Sequence, residues 1–312
     1  ARWADYIKQF EYVMPQVAKE VAPDISYWLS SPSSTGSFND PSSQNFGDMH
    51  DWSIFLRRAP FTDFRNRYPR FMSEFGMQSF PCMKTIDSFA EEEDKNVFSY
   101  IMEHHQKCAS GNDRILGYIS QLFRLPDSFQ SFLYVSQIMQ AEAVRYGVEH
   151  WRRNRGRCMG ALYWQINDCW PVASWSSIDY FGRWKALHYA AKRFFSPILV
   201  SACEEGTHVS LHITNDTLSD EALTLRWELT DMRSKIIRSG SRDVTAKKLS
   251  AAEYETLDFS EELAAVEAKQ SRCLQYSLWK NGGQISSGTV QFVPYKHLRL
   301  EDPELLAEIR EE

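Results

Sequence analysis

Arg70-Phe71-Met72-Ser73-Glu74-Phe75-Gly76-Met77-Gln78-Ser79-Phe80-Pro81 is the stretch on which the reading of this chain turns. A short apolar run ends at a carboxylate, and a glycine follows two positions on. That order fits a strand that stops where a loop begins. In a (β/α)8 barrel the reacting groups sit at that C-terminal end of the strands. By itself a glutamate near a glycine is more often a surface or structural residue.

Outward from Glu74, residues 1–195 alternate helix and strand. Tyr6, Phe10, Val13, Val17 and Val21 recur at helical spacing and predict a helix over 3–22, with Pro15 opening its second part. Residues 25–30 read as a strand, 31–47 as a polar loop, and 49–55 as a strand or strand end with Asp48, His50 and Asp51 at its mouth. A helix is predicted over 87–107, capped by Asp87 or Ser88, with Glu91, Glu92, Glu93 and Asp94 at the favourable end of its dipole. A longer one follows over 127–152, with Phe129, Phe132, Leu133, Ser136, Met139, Ala143, Gly147 and His150 on one face. Residues 158–164 are mostly small or apolar, the pattern of a strand buried on both faces. A helix over 185–195 closes this part. The alternation predicts a parallel α/β architecture. It supplies about four strands, where a closed barrel needs eight.

At Ser196-Pro197 the period changes to two. Residues 208–213, 223–229 and 274–280 alternate, and the last run ends at the turn Asn281-Gly282-Gly283. Such strands predict an antiparallel, immunoglobulin-like sandwich of about 100 residues, placed at 196–294. Residues 295–312 are charged and read as a junction to a further element.

Composition narrows the function. The 312 residues are too many for one ordinary core, and 43% are hydrophobic, so two domains are expected. A net charge of −6 argues against nucleic acid and anionic membranes as partners. No apolar run approaches the roughly 20 residues of a membrane helix. No signal-peptide pattern opens the chain, which begins with Ala1 inside a helical pattern, as a chain starting mid-protein would. The six cysteines are scattered and none form C-x-x-C, so a zinc ribbon is not expected; free thiols favour a reducing, cytoplasmic compartment without fixing one. Adjacent His104 and His105 point to different helix faces and cannot both ligate one ion, so no metal is expected. The arginines at 152, 153, 155 and 157 read as compensation of a helix C-terminus. Asn215 opens an Asn-x-Thr triplet of the kind chance supplies. Ten Trp and fourteen Tyr suit a sugar site, although most such rings serve cores.

The segment 70–81 closely resembles the nucleophile segment of the β-mannosidases, in the glycoside hydrolase family they share with β-galactosidase and β-glucuronidase. Tyr163-Trp164-Gln165-Ile166-Asn167-Asp168-Cys169-Trp170-Pro171 resembles the W-Q-x-N-D-x-W segment that closes the family's last barrel strand, and residues 175–185 are similar as well. Gly47-Asp48-Met49-His50-Asp51-Trp52 resembles the G-D-x-H-aromatic-W segment, except that Asp51 stands where an aromatic is usual. The resemblance implies the C-terminal half of a (β/α)8 TIM barrel over 1–195 followed by the sandwich. It implies Glu74 as the catalytic nucleophile, and His50, Trp52, Trp164, Asn167, Asp168 and Trp170 as substrate-binding residues, with Trp164 a platform for the sugar. It implies no cofactor, and β-mannosides or mannose-containing oligosaccharides as ligands. The family's acid/base glutamate lies in an Asn-Glu pair, and this sequence has none. Residues 293–300 resemble the junction to a final β domain. The expected activity is that of a retaining exo-β-mannosidase lacking its acid/base in this chain. The alternatives are a glucosaminidase, galactosidase or glucuronidase of the same family, or a non-catalytic carbohydrate-binding or structural piece.

Overall fold

The computed structural model describes residues 2–34, 36–304, 306 and 308. It divides into two compact units, one comprising Ala1–Ile119 and Leu125–Phe194, the other Ser120–Arg124 and Phe195–Glu312. The first is α/β and the second is dominated by antiparallel sheet.

The sheet of the first unit has three parallel strands, β1 (Met49–Asp51), β2 (Met72–Phe75) and β3 (Ala161–Tyr163), in that spatial order. Parallel neighbours need crossovers. Helix Ser53–Arg57 and a 3₁₀ turn at Phe61–Asn66 supply the first; several helices, the last being Phe129–Arg153, supply the second. Ser128 caps this long helix by accepting the Ser131 N–H. Its apolar face is buried, and Trp151, with Phe64 and Phe75, builds an aromatic cluster under β2, with centroids 4.6–5.5 Å apart. Edge-to-face pairs of this kind add to the gain from area burial.

Several expectations need correcting. Residues 25–30 form no strand: they have no ladder partner among the described residues, and without one an extended segment is not a sheet strand. The parallel sheet accordingly has three strands and not four. The helix expected over 87–107 is broken. Glu91 and Asp94 form a capping box around the single 3₁₀ turn Glu92–Asp94, Lys95 pairs with Asp87 and Glu92, and Ser99 caps the separate helix Tyr100–His104. β3 is not buried on both faces, since Leu162 is 57% exposed. As an edge strand among the described residues, it has neighbours on one side only. Residues 2–21 are helical, with a π-helical stretch at Ile7–Val13 and Pro15 in the first turn of Met14–Val21. Their apolar stripe stays open, with Val17 and Val21 exposed.

The second unit packs a four-stranded sheet, order β10-β9-β6-β7, and a three-stranded sheet, order β4-β5-β8. The strands are β4 (Ile198–Glu205), β5 (His208–Asn215), β6 (Glu221–Asp231), β7 (Ile236–Ala246), β8 (Ser250–Asp258), β9 (Arg272–Lys280) and β10 (Gly283–Gln291). Alternate residues point inward, among them Val209, Leu211 and Ile213 on β5, Leu223, Leu225, Trp227 and Leu229 on β6, and Leu274, Tyr276 and Leu278 on β9. Asn281 and Gly282 both take positive φ, 53° and 80°, as a two-residue hairpin turn requires. Asn215 is fully buried, its amide donating to the carbonyls of Ser219 and Ala246. Its Asn-x-Thr triplet is therefore closed to modification in the folded chain. Of the tail, Tyr295–His297 forms a 3₁₀ turn, and 305, 307 and 309–312 lie outside the described residues.

Candidate active site

Residues 73 and 75–80 each have a physical task around Glu74. Ser73 donates to Asp48 Oδ2 at 2.5 Å. Phe75 joins the aromatic cluster below the sheet. Gly76 is required by close approach, because a Cβ there would lie 2.4 Å from the Trp164 carbonyl oxygen. Gln78 and Gln106 exchange amide hydrogen bonds at 2.9 and 3.1 Å. The segment is fastened from behind by Gln140 on the long helix. Its Nε2 donates to the carbonyls of Met77, Trp175 and Ser176 at 2.9–3.2 Å, and its Oε1 accepts from Ser79 at 2.7 Å. Ser136 accepts the Phe80 N–H, and Lys185 Nζ donates to the carbonyls of Ser79 and Ser174. Lys185 is fully buried; burial brings its pKa down to about 8 despite the charges of Asp168 and Asp179.

Glu74 itself remains partly open, with its side chain 26% exposed. On the parallel register His50 lies opposite Glu74, which sets the two side chains together. Trp52 Nε1 donates to Glu74 Oε1 at 2.9 Å. His50 Nδ1 stands 3.5 Å from Glu74 Oε2, an ion-pair separation longer than a good hydrogen bond. The Trp52 ring is braced edge-on by Trp175, and Trp175 in turn by Phe55. A polar network stands behind His50. Its Nε2 is 3.0 Å from Ser31 Oγ, and Ser31 donates to Asp48 Oδ2 at 2.6 Å. Asp48 Oδ1 accepts from the Ser33 N–H at 2.9 Å and from Trp28 Nε1 at 3.2 Å. Burial favours the protonated Asp48, but the hydrogen bonds from Ser31, Ser73, Ser33 and Trp28 outweigh it and hold the carboxyl below its usual pKa.

The structure thus brings His50, Trp52 and Glu74 into direct contact. Trp164 is adjacent, its backbone N–H donating to the Phe75 carbonyl at 2.7 Å, and the residue is 46% exposed. The others are held by different partners. Asp168 is buried, accepting from Ser176 at 2.5 Å and from Gln165 at 3.1 Å. Asn167 is an exposed loop residue whose carbonyl accepts from Gln165. Trp170 stacks on His105 at 4.4 Å, with Lys107 over its ring at 4.7 Å. His105 also stacks on Phe89 at 3.8 Å, and burial lowers its pKa, so it is a packed ring rather than a ligand. No group of three or more metal-binding side chains occurs among the described residues. Asp51, the last residue of β1, accepts from Ser53 N–H, Ser53 Oγ and Arg67 Nε, so its carboxylate is engaged there and not by Glu74's partners. Sequence reasoning missed the parts played by Trp28, Ser31 and Trp175, which reach the site from distant positions, and the hydrogen bond by which Ser73, inside the motif, ties Asp48 to it.

Residues 207–297 match the mannosidase Ig/CBM-like domain. A β-mannosidase B of Aspergillus clavatus is 38% identical over 202 residues, 63% of this chain and 24% of that protein. The crystal structure of a β-D-mannosidase from Dictyoglomus thermophilum matches with a TM-score of 0.88 at 31% identity, covering 94% of this chain and 35% of that one. An exo-chitosanase of Amycolatopsis orientalis matches with a TM-score of 0.71 at 16% identity over 91% of this chain and 34% of that one, a likeness of fold alone. Fold and sequence together make the chain a relative of the glycoside hydrolases. Within them its relatives are the β-mannosidases, and it spans about a quarter of the length of the curated ones it matches.

Proposed function

We propose that residues 1–195 are the later half of a (β/α)8 barrel, that 196–294 are an immunoglobulin-like sandwich and 295–312 a junction, and that the whole protein is a retaining exo-β-mannosidase. The barrel reading is supported by three sequential parallel strands with helical crossovers and by edges at β1 and β3 that lack partners among the described residues. The open apolar stripe on residues 2–21 agrees with it.

Glu74 is the nucleophile in this reading. The observation that carries it is a partly open carboxylate at the end of a central parallel strand, with one oxygen held by Trp52 and the other facing His50. In a double displacement an oxygen of Glu74 bonds to the anomeric carbon while the glycosidic bond breaks. The departing oxygen takes a proton from a second carboxyl about 5–5.5 Å from the first, which then deprotonates the water that cleaves the glycosyl ester. The carboxylates flanking His50 in sequence are already engaged, Asp48 by four donors and Asp51 by Arg67 and Ser53. In this reading the acid/base belongs to residues outside this chain, because the Asn-Glu pair that carries it in the family this sequence resembles does not occur here. The exposed Trp164 ring offers a stacking face for the mannose, and no cofactor is needed. Glu74→Gln in the full-length protein tests the reading: turnover of nitrophenyl β-mannoside is lost while the fold is kept. Turnover at the wild-type rate would remove it.

A further inference from the structure

Asp48 does not touch Glu74, yet the hydrogen bonds around it constrain what Glu74 faces. Protons can be assigned around the network one donor at a time. Asp48 Oδ1 accepts from two groups that can only donate, the Ser33 N–H and the Trp28 indole N–H. Oδ2 accepts from the hydroxyls of Ser31 and Ser73. An ionised carboxylate donates nothing, so the single proton of the Ser31 hydroxyl is directed at Asp48. Ser31 then has only lone pairs to offer His50 Nε2, 3.0 Å away. Nε2 must be the donor of that contact, and Nδ1 is the nitrogen turned to Glu74 Oε2.

We infer that Asp48, acting through the Ser31 hydroxyl, is a positioning residue that assigns the proton on His50 to Nε2 and so decides what Nδ1 presents to Glu74. A ring nitrogen's proton is generally set by the hydrogen bond its other nitrogen makes. Here the control is one residue further removed. Nδ1 meets the carboxylate either as a bare lone pair, which repels it, or as the N–H of an imidazolium, which attracts it. A neutral ring donating from Nδ1 is the one arrangement that Asp48 forbids. The charged groups bearing on the ring are Glu74 directly and Asp48 through Ser31; Asp51, next in sequence, is tied to Arg67.

The inference specifies an inversion. In Asp48→Asn the side-chain oxygen must stay with the two N–H donors at the Oδ1 position, which puts the amide nitrogen where Oδ2 was. Its two N–H groups then donate to Ser31 and Ser73. The Ser31 proton is released toward His50 Nε2, which becomes an acceptor, and the ring proton moves to Nδ1. The number of hydrogen bonds is unchanged and the shape is nearly so.

The test is the ¹⁵N spectrum of the imidazole rings in histidine-labelled resting protein, with the His50 signals assigned by their loss in His50→Gln. Wild type should show Nε2 in the protonated range. Asp48→Asn should move Nε2 to the unprotonated range and Nδ1 to the protonated one. Adding Asp48→Asn to Ser31→Ala should produce no such exchange, because the relay is already cut. An unprotonated Nε2 in wild type, or an unchanged ring in Asp48→Asn, overturns the inference. If Asp48→Asn fails to fold, the wild-type spectrum alone decides. The catalytic meaning of this relay rests on Glu74 being the nucleophile, but the ring is read without turnover, so either idea can fail while the other stands.

Discussion

Trp52→Phe isolates the contribution of one hydrogen bond to the reactivity of Glu74. The phenyl ring keeps most of the edge-to-face contact with Trp175, whose centroid lies 5.7 Å away, and removes the N–H that donates to Glu74 Oε1 at 2.9 Å. A hydrogen bond to a charged group contributes about 1.5–3 kcal/mol. If it holds the carboxylate in the attacking orientation, its loss raises the barrier by a similar amount, and each 1.36 kcal/mol is a factor of ten. The expected loss in kcat/KM on nitrophenyl β-mannoside is therefore roughly 10–150-fold. Urea unfolding of the variant should change little, since the partly exposed carboxylate regains water as a donor. Kinetics within about twofold of wild type, in a protein that still depends on Glu74, would refute the argument that Trp52 orients the nucleophile.

Other changes probe the scaffold and the rim. Gln140→Met fills similar space but leaves three carbonyls and the Ser79 hydroxyl without this partner; a loss of about 3 kcal/mol in the urea unfolding of the protein is expected, and less than about 1 would show that the long helix does not pin the segment. Lys185 has a pKa of about 8 when folded against a usual 10.5. Below 8 both states carry the proton and the buried charge costs its full amount. Between about 8 and 10.5 the unfolded chain binds more protons, so stability rises with pH, and the difference between wild type and Lys185→Met should grow in favour of wild type across that window. A difference flat with pH would mean that burial does not lower the Lys185 pKa. Trp164→Ala should weaken mannoside binding and slow turnover, and unchanged kinetics would make the ring packing only.

The parts of the fold that could be read in the sequence are those in which a local pattern and the final environment coincide. The long helix shows its buried face at helical spacing, and β5, β6 and β9 alternate because one face lies on the sandwich core. β7 lacks that pattern, since its first eight residues are largely exposed at a sheet edge, and on its core-side face it carries Arg238, which lies over the Trp227 and Phe259 rings, and Arg242, which donates to the Tyr254 carbonyl. The acidic run at 91–94 suggests the start of a long helix, but Lys95 and the capping box use those carboxylates within a single turn. Residues 25–30 have strand composition and no ladder partner among the described residues. At the site, Glu74, His50 and Trp52 stand within short motifs and were legible. Ser31 reaches His50 across 19 positions, and Trp28 reaches Asp48 across 20, contacts that only the folded chain makes. Trp170 sits in a recognisable motif, yet its partners are His105 and Lys107, which no local spacing foretells.

The central claim is that Glu74 bonds to the sugar, and a mechanism-based label tests it most directly. Full-length protein inactivated with a 2-fluoro-β-mannosyl reagent, then digested and mapped by mass spectrometry, should carry one mannosyl group on the peptide containing Met72, Ser73, Glu74 and Phe75, with Glu74 as the esterified residue. Glu74→Gln should take up no label. A label on another carboxylate, or inactivation of Glu74→Gln at the wild-type rate, would contradict the account.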